Sequence, residues 1–199
     1  SIDGQHFLVV ANYYSGGSYN QYSIVYKYDA ARYIDPFQEF QSIPTIGAID
    51  WKYFSIDGQH YLVVANSFNG ISYAQNSIVY KYNASRSTDP FQNFQTFPTE
   101  DVHDAYDWEY FSFNGQHFLA VANYRRGGFG NHQSMVYKYD ATQSSNNPFK
   151  KIQSISTKSA VDWEYFTIDG QHYLVVANSF NGTSYDQNSI VYKYDPNRL

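Results

Sequence analysis

The chain has 199 residues, a net charge of −5 and no cysteine. The missing cysteines exclude disulfides, thiolate metal sites and a Cys nucleophile. With no basic stripe for a phosphate backbone and no apolar run long enough for a membrane-spanning helix, nucleic acid and bilayer partners are poor fits.

The N-terminus, Ser1-Ile2-Asp3-Gly4, matches Ser55-Ile56-Asp57-Gly58, so the chain starts near the end of a strand. A start at Ser1 without a signal peptide is expected of a processed, mature chain. The next run, His6-Phe-Leu-Val-Val-Ala-Asn12, returns as HYLVVAN at 60–66, HFLAVAN at 117–123 and HYLVVAN at 172–178. The glycines before these copies, Gly4, Gly58, Gly115 and Gly170, set a period of 54, 57 and 55 residues. Self-similarity at such a period marks repeated supersecondary units.

Four strand-like runs follow one another in each full unit. The first is 50–56, echoed at 107–113 and 162–168. The second is the HYLVVAN run. The third, Ser77-Ile-Val-Tyr-Lys-Tyr82, is echoed from Ser23, Ser134 and Ser189, and the fourth, 91–97, from Phe37 and Phe149. All are rich in aromatic and β-branched residues. Asp57-Gly58, Asn114-Gly115 and Asp169-Gly170 predict type I′ turns, which join the first two runs as hairpins because both central residues need positive φ. The second run is apolar almost throughout, as in a strand covered on both faces. The third alternates, with Ile and Tyr on one face and Val and Lys on the other, and predicts a half-exposed strand nearer the rim. Prolines at 36, 90 and 148 sit just before the fourth run, where a strand start tolerates the missing donor.

These patterns predict an all-β chain forming one repeat domain over 1–199. Its units lie at about 1–46, 47–103, 104–158 and 159–199, each a four-stranded antiparallel blade of a β-propeller. The first unit lacks its first strand and the last lacks its fourth. Unpaired edges are a liability, so a second subunit completing the ring as a homodimer is expected.

The segment Ile43-Pro-Thr-Ile-Gly-Ala-Ile-Asp-Trp51, continuing to Gly58, HYLVVAN at 60–66 and Ser77 to Tyr82, resembles the epilepsy-associated repeat, or EPTP, family. The likeness covers nearly the whole chain. It implies a propeller and a secreted, non-enzymatic module that binds extracellular receptors. It also implies that calcium could sit in a central channel, held by Asp50, Asp107 and Asp162 of the three Asp-Trp pairs. The plainer alternative is that each of these aspartates ties its blade to the next by hydrogen bonds. The sequons Asn83-Ala-Ser85 and Asn181-Gly-Thr183 are compatible with secretion.

The loops after each Ala-Asn step vary most, and loops carry recognition more often than cores. They supply Tyr13, Tyr14, Tyr19 and Asn20; Phe68, Asn69 and Tyr73; Tyr124, Arg125 and Phe129; and Phe180, Asn181 and Tyr185. Aromatic faces pack on sugar rings and amides bond their hydroxyls, so four similar loops predict a multivalent carbohydrate-binding protein, a lectin acting on glycans or glycoproteins by avidity. The alternative is an extracellular protein-recognition module with a receptor partner, since Tyr and Asn loops suit protein surfaces as well. A third possibility is a structural or storage protein. The recurrent His6, His60, His117 and His172 read as satisfying backbone groups within their own blades, the alternative being a metal held where all four reach a common axis. Trp51, Trp108 and Trp163 read as packing between blades, and Lys27, Lys81, Lys138 and Lys193 as solvated rim residues. No nucleophile elbow, HExxH or phosphate loop is present, and the carboxylates Asp107 with Glu109 and Asp162 with Glu164 recur in copies, unlike an active site.

Overall fold

The computed structural model describes residues 1–124, 132–143 and 147–195, and among these there are fourteen strands and no helix. They form four antiparallel sheets, the successive blades of a β-propeller. Blade one comprises β1 (Phe7–Val10), β2 (Asn20–Tyr28) and β3 (Phe37–Ile46); blade two, β4 (Ala48–Ile56), β5 (Gln59–Asn66), β6 (Ile78–Tyr82) and β7 (Phe91–Thr96). Blade three comprises β8 (Ala105–Phe113), β9 (Gln116–Asn123), β10 (His132–Tyr139) and β11 (Phe149–Thr157); blade four, β12 (Ala160–Ile168), β13 (Gln171–Asn178) and β14 (Ile190–Lys193). The two middle blades thus carry four strands and the two outer ones three.

The hairpins form as their turns dictate. Asp57 and Gly58 have φ of 48° and 75°, and the pairs at 114–115 and 169–170 are alike. Positive φ at both positions matches the right-handed twist of the flanking strands. The first strands β4, β8 and β12 lie side by side around the inside of the ring. Each breaks register one residue before its Asp-Trp pair, between Ala48 and Asp50, Ala105 and Asp107, and Ala160 and Asp162. Bulges of this kind re-aim a side chain.

Packing explains the unbroken apolar second strand. Along β5, Tyr61, Val63 and Ala65 face the seam with blade three, while Leu62 and Val64 face the seam with blade one. Along β9, Leu119 and Val121 face blade two, and Phe118, Ala120 and Ala122 face blade four. Period-two alternation sends neighbouring residues into different cores, so both faces must be apolar. Val63 and Val64 are completely buried, each stabilising the fold by about 1.5–3 kcal/mol.

The third strand departs from its expected half-exposure. Its Val face is buried: Val25, Val79 and Val136 are at most 5% exposed, because the next blade covers that face. Tyr80 and Tyr137 are buried on the opposite face.

The outer edge is tied by a repeated device. Gln41 of β3 reaches across to blade two, where its Nε2 donates to the Phe91 carbonyl at 2.8 Å and its Oε1 accepts the Phe91 amide at 2.9 Å. Gln95 of β7 holds Phe149 of blade three in the same way, at 2.9 and 2.8 Å. Both glutamines are buried, and each satisfies two backbone groups that would otherwise be orphaned at the seam.

Candidate recognition site

The variable loops leave the ends of β5, β9 and β13 beside the starts of the inner strands, since Asn66 pairs with Ala48, Asn123 with Ala105 and Asn178 with Ala160. The loops and the Asp-Trp pairs therefore share one face of the propeller.

The asparagine of each Ala-Asn step builds the base of its loop. The Asn66 Oδ1 accepts the Ile46 amide at 3.1 Å, and its Nδ2 donates to the Asn76 carbonyl at 2.8 Å. Asn178 makes the same two bonds, to the Lys158 amide and the Asn188 carbonyl. The recurrence of VAN thus has a mechanical cause that the sequence displayed without explaining. The residue just before each inner strand has positive φ: Gly47 at 53°, Asp104 at 53° and Ser159 at 47°. At Gly47 the chain runs so close to the second loop that a Cβ would lie 2.3 Å from the Phe68 carbonyl oxygen. Gly47 donates to the Tyr19 carbonyl at 2.8 Å and accepts from the Ser67 amide at 3.0 Å, fastening the first loop to the second.

That fastening brings five of the expected residues together. Tyr19 is the hub, with ring centroids 5.2 Å from Tyr13, 4.6 Å from Tyr14 and 4.9 Å from Phe68; Phe68 stacks on Tyr73 at 4.3 Å. Tyr13 and Tyr14 are exposed, and Ile71 in the second loop is 92% exposed. The result is one aromatic cluster spanning blades one and two. The fourth loop has its own pair, Phe180 and Tyr185 at 4.5 Å, with Tyr185 exposed. Tyr124 in blade three is buried and stacks on Tyr106 at 4.5 Å. Arg125 and Phe129 lie outside the described residues.

The amides are less available than the sequence suggested. Asn69 Oδ1 accepts the amides of Ile71 and Ser72 at 2.9 and 2.7 Å, closing its own turn, and Asn181 Oδ1 does the same for Thr183 and Ser184. Side chains of this type compete for local backbone donors. Gln21, Gln75 and Gln187 likewise donate to carbonyls within their own loops. Asn20 is exposed at the start of β2.

On the inner strands the acidic residues join blades. Asp107 Oδ2 accepts the Trp163 amide of blade four at 2.9 Å, and Glu109 Oε1 accepts the Tyr165 amide at 3.3 Å. Lys52 of blade two forms an ion pair with Glu109. Burial lifts the Asp107 carboxyl; the Trp163 amide opposes this, while the nearby Asp50 and Asp162, with Asp50 hydrogen-bonded to it, push it up to about 8. Burial also raises Glu109 against the pull of the Lys52 ammonium, and the Glu109 carboxylate keeps Lys52 above its ordinary value despite desolvation. Calcium needs six to eight oxygen ligands. Among the described residues no three acidic or histidine side chains converge on one point as a metal would require. Asp107 accepts an inter-blade hydrogen bond from the Trp163 amide, and the carboxyls of Asp50 and Asp162 lie near it.

Three of the four recurrent histidines meet a tyrosine hydroxyl of their own blade, a side-chain partner where backbone was expected. Tyr53, Tyr110 and Tyr165 hydroxyls lie 2.8, 2.7 and 2.6 Å from the Nδ1 atoms of His60, His117 and His172. Trp108 and Trp163 are fully buried between blades. Lys27 and Lys81 are more than solvated rim residues, since their ammonium groups lie 5.5–5.9 Å from Phe40, Tyr61 and Phe94 ring centres.

The EPTP domain, as a family, matches this sequence at residues 37–83, 91–140 and 149–195. The chain belongs to the EPTP family. Each matched EPTP unit runs from one fourth strand through the first three strands of the next blade. The mouse thrombospondin-type laminin G domain and EAR repeat-containing protein is 39% identical across 97% of this chain, and the human one 40% across 97%. Mouse leucine-rich repeat LGI family member 3 is 26% identical across 71% of the chain. The EPTP chain spans about a quarter of the length of these relatives, 28% of the first two and 23% of the third. In fold it is similar to an exo-β-1,3-galactanase of Phanerochaete chrysosporium, with a TM-score of 0.56 and 13% identity, covering 97% of this chain and 44% of that one.

Proposed function

We propose that this EPTP chain is a non-enzymatic, extracellular protein-recognition module, and that the linked loops of blades one and two form its principal contact surface. The observation carrying this reading is the fusion of Tyr13, Tyr14, Tyr19, Phe68 and Tyr73 into one cluster with Tyr13, Tyr14 and Ile71 exposed. Rigid tyrosines present large amphipathic area at small entropic cost, and aromatic anchors dominate protein interfaces. A lectin with four equivalent sites is less well supported. The side-chain oxygens of Asn69 and Asn181 are engaged in their own turns, and the loops differ in how they pack. Catalysis gains no support from the inner strands, where Asp107 and Glu109 are bound to backbone amides of the next blade.

Binding of the labelled chain to cells tests the proposal. Surface proteolysis should abolish binding and free monosaccharides should leave it intact. Tyr14→Ala combined with Ile71→Ser should weaken it about tenfold or more, the effect of removing an anchor worth about 1.4 kcal/mol. Binding that resists protease but is lost to glycosidases or a simple sugar would restore the lectin reading.

A further inference from the structure

Two asparagines carry a chemical handle that the fold does not use. Asn83-Ala-Ser85 and Asn181-Gly-Thr183 fit the acceptor pattern for N-linked sugar. Each lies in a turn that sister units build without that pattern, so the repeats themselves show what each position must do.

Asn83 opens the loop between β6 and β7. Its amide donates to the Pro90 carbonyl at 2.9 Å, its carbonyl accepts the Arg86 amide at 3.1 Å, and its Oδ1 accepts the Ser85 amide at 3.0 Å. Asp29 makes the same three bonds in blade one, to Pro36, Arg32 and Ala31, and Asp140 makes them in blade three, to Pro148, Gln143 and Thr142. The turn therefore needs one side-chain oxygen and nothing more. Asparagine supplies that oxygen and adds an Nδ2 that makes no hydrogen bond among the described residues. Asn83, Ala84 and Ser85 are all exposed.

Asn181 repeats the logic in the fourth loop. Residues 67–76 and 179–188 differ only in Ile71 against Thr183 and Ala74 against Asp186. Asn69 and Asn181 close the same turn through Oδ1, and both are exposed. The geometry is shared, and Thr183 alone turns it into an acceptor sequence.

We infer that Asn83 and Asn181 are N-glycan attachment sites, and that the Asn181 glycan covers the fourth loop and leaves recognition to blades one and two. This rests on the extracellular reading above. In the modification, Nδ2 bonds to C1 of the reducing-end sugar of a lipid-linked oligosaccharide diphosphate. The C1–O bond to the diphosphate breaks, its electron pair leaves with the lipid diphosphate, and the lost amide proton ends on that leaving group. A glycan is bulky and hydrophilic and needs open surface. The two sites offer it on opposite faces. The β6–β7 loop leaves blade two at the same end as the Asp57-Gly58 turn, since Tyr82 pairs with Phe91 and Lys81 with Tyr61. The fourth loop shares the face of the aromatic cluster. There Asn181 adjoins Phe180, whose ring lies 4.5 Å from Tyr185, so a sugar on Asn181 covers that pair. In the second loop Ile71 stands in the place of Thr183, and the contact surface stays free of sugar.

Expression of the whole chain behind a leader peptide in secreting animal cells tests this, with peptide-N-glycosidase digestion read by gel mobility and peptide mass spectrometry. Digestion should remove a glycan from each site and convert both asparagines to aspartate. Asn83→Asp, the residue of the sister turns, and Thr183→Ile, the residue of the second loop, should each delete one glycan without loss of secretion. Asp140→Asn and Ile71→Thr complete the pattern in the sister turns and should each add one. An unglycosylated Asn83 or Asn181 in the secreted chain overturns the assignment at that position, whatever the chain binds. Ile71→Thr should also weaken cell binding about tenfold or more, and deglycosylation should restore part of it. Cell binding by Thr183→Ile should not fall. A glycan on Asn69 that leaves binding intact would refute the contact surface on blades one and two, and the shielding with it, while the attachment sites stand.

Discussion

Removing one glutamine at the seam between blades two and three should cost far more than a polar side chain on an outer strand would suggest. Gln95→Ala deletes two hydrogen bonds to the backbone of Phe149, at 2.8 and 2.9 Å. Phe149 itself is 2% exposed, so its amide and carbonyl cannot turn to water. A buried polar group left unsatisfied costs about 1–3 kcal/mol, and two of them about 2–6 kcal/mol. With a urea dependence of about 2 kcal/mol per molar, the unfolding midpoint should fall by about 1–3 M. Trp108 reports the transition well, being buried with its ring 4.6 Å from Phe97 on the same seam. Gln153→Ala is the internal control: the same residue type at the same repeat position, but exposed and unpartnered, it should shift stability by less than about 0.5 kcal/mol. Equal losses in the two variants, or a change under about 0.5 kcal/mol in Gln95→Ala, would refute the view that the clamp holds adjacent blades together.

Two further outcomes follow from the inner face. Gly47→Ala places a Cβ 2.3 Å from a backbone oxygen at a φ of 53°; left-handed backbone strain and overpacking together should destabilise the chain by about 2–4 kcal/mol in the same urea titration, and a neutral result would show that the two loops are not fastened there. Asp107 holds its proton to about pH 8 in the folded chain, whereas the unfolded chain releases it near pH 3.9. Its contribution to stability is therefore full below about pH 4 and declines as pH rises towards 8, by at most about 1.4 kcal/mol per pH unit. Asp107→Asn should remove that slope while keeping an acceptor for the Trp163 amide, and an unchanged difference between the two proteins from pH 4 to 8 would contradict the assignment.

The sequence by itself determined the strands, their order and the hairpins joining the first two in each unit. Those features are local: Asp-Gly and Asn-Gly reach positive φ without help, and period-two apolar runs have no stable alternative to a sheet. Belonging to the EPTP family was legible too, because its motif lies within contiguous stretches. The tertiary structure decided everything that joins one unit to another. Gln41 and Phe91 are 50 residues apart, Asp107 and Trp163 are 56 apart, and nothing in either neighbourhood names the partner. The loops show the same division. Tyr19 and Phe68 were each visible as candidate anchors, but their union depends on the close passage of the chain at Gly47. The side-chain oxygens of Asn69 and Asn181 looked free until the backbone amides they accept were placed beside them. The buried valines of β2, β6 and β10 follow the same logic, since whether a strand face is wet depends on the next blade and not on its own alternation.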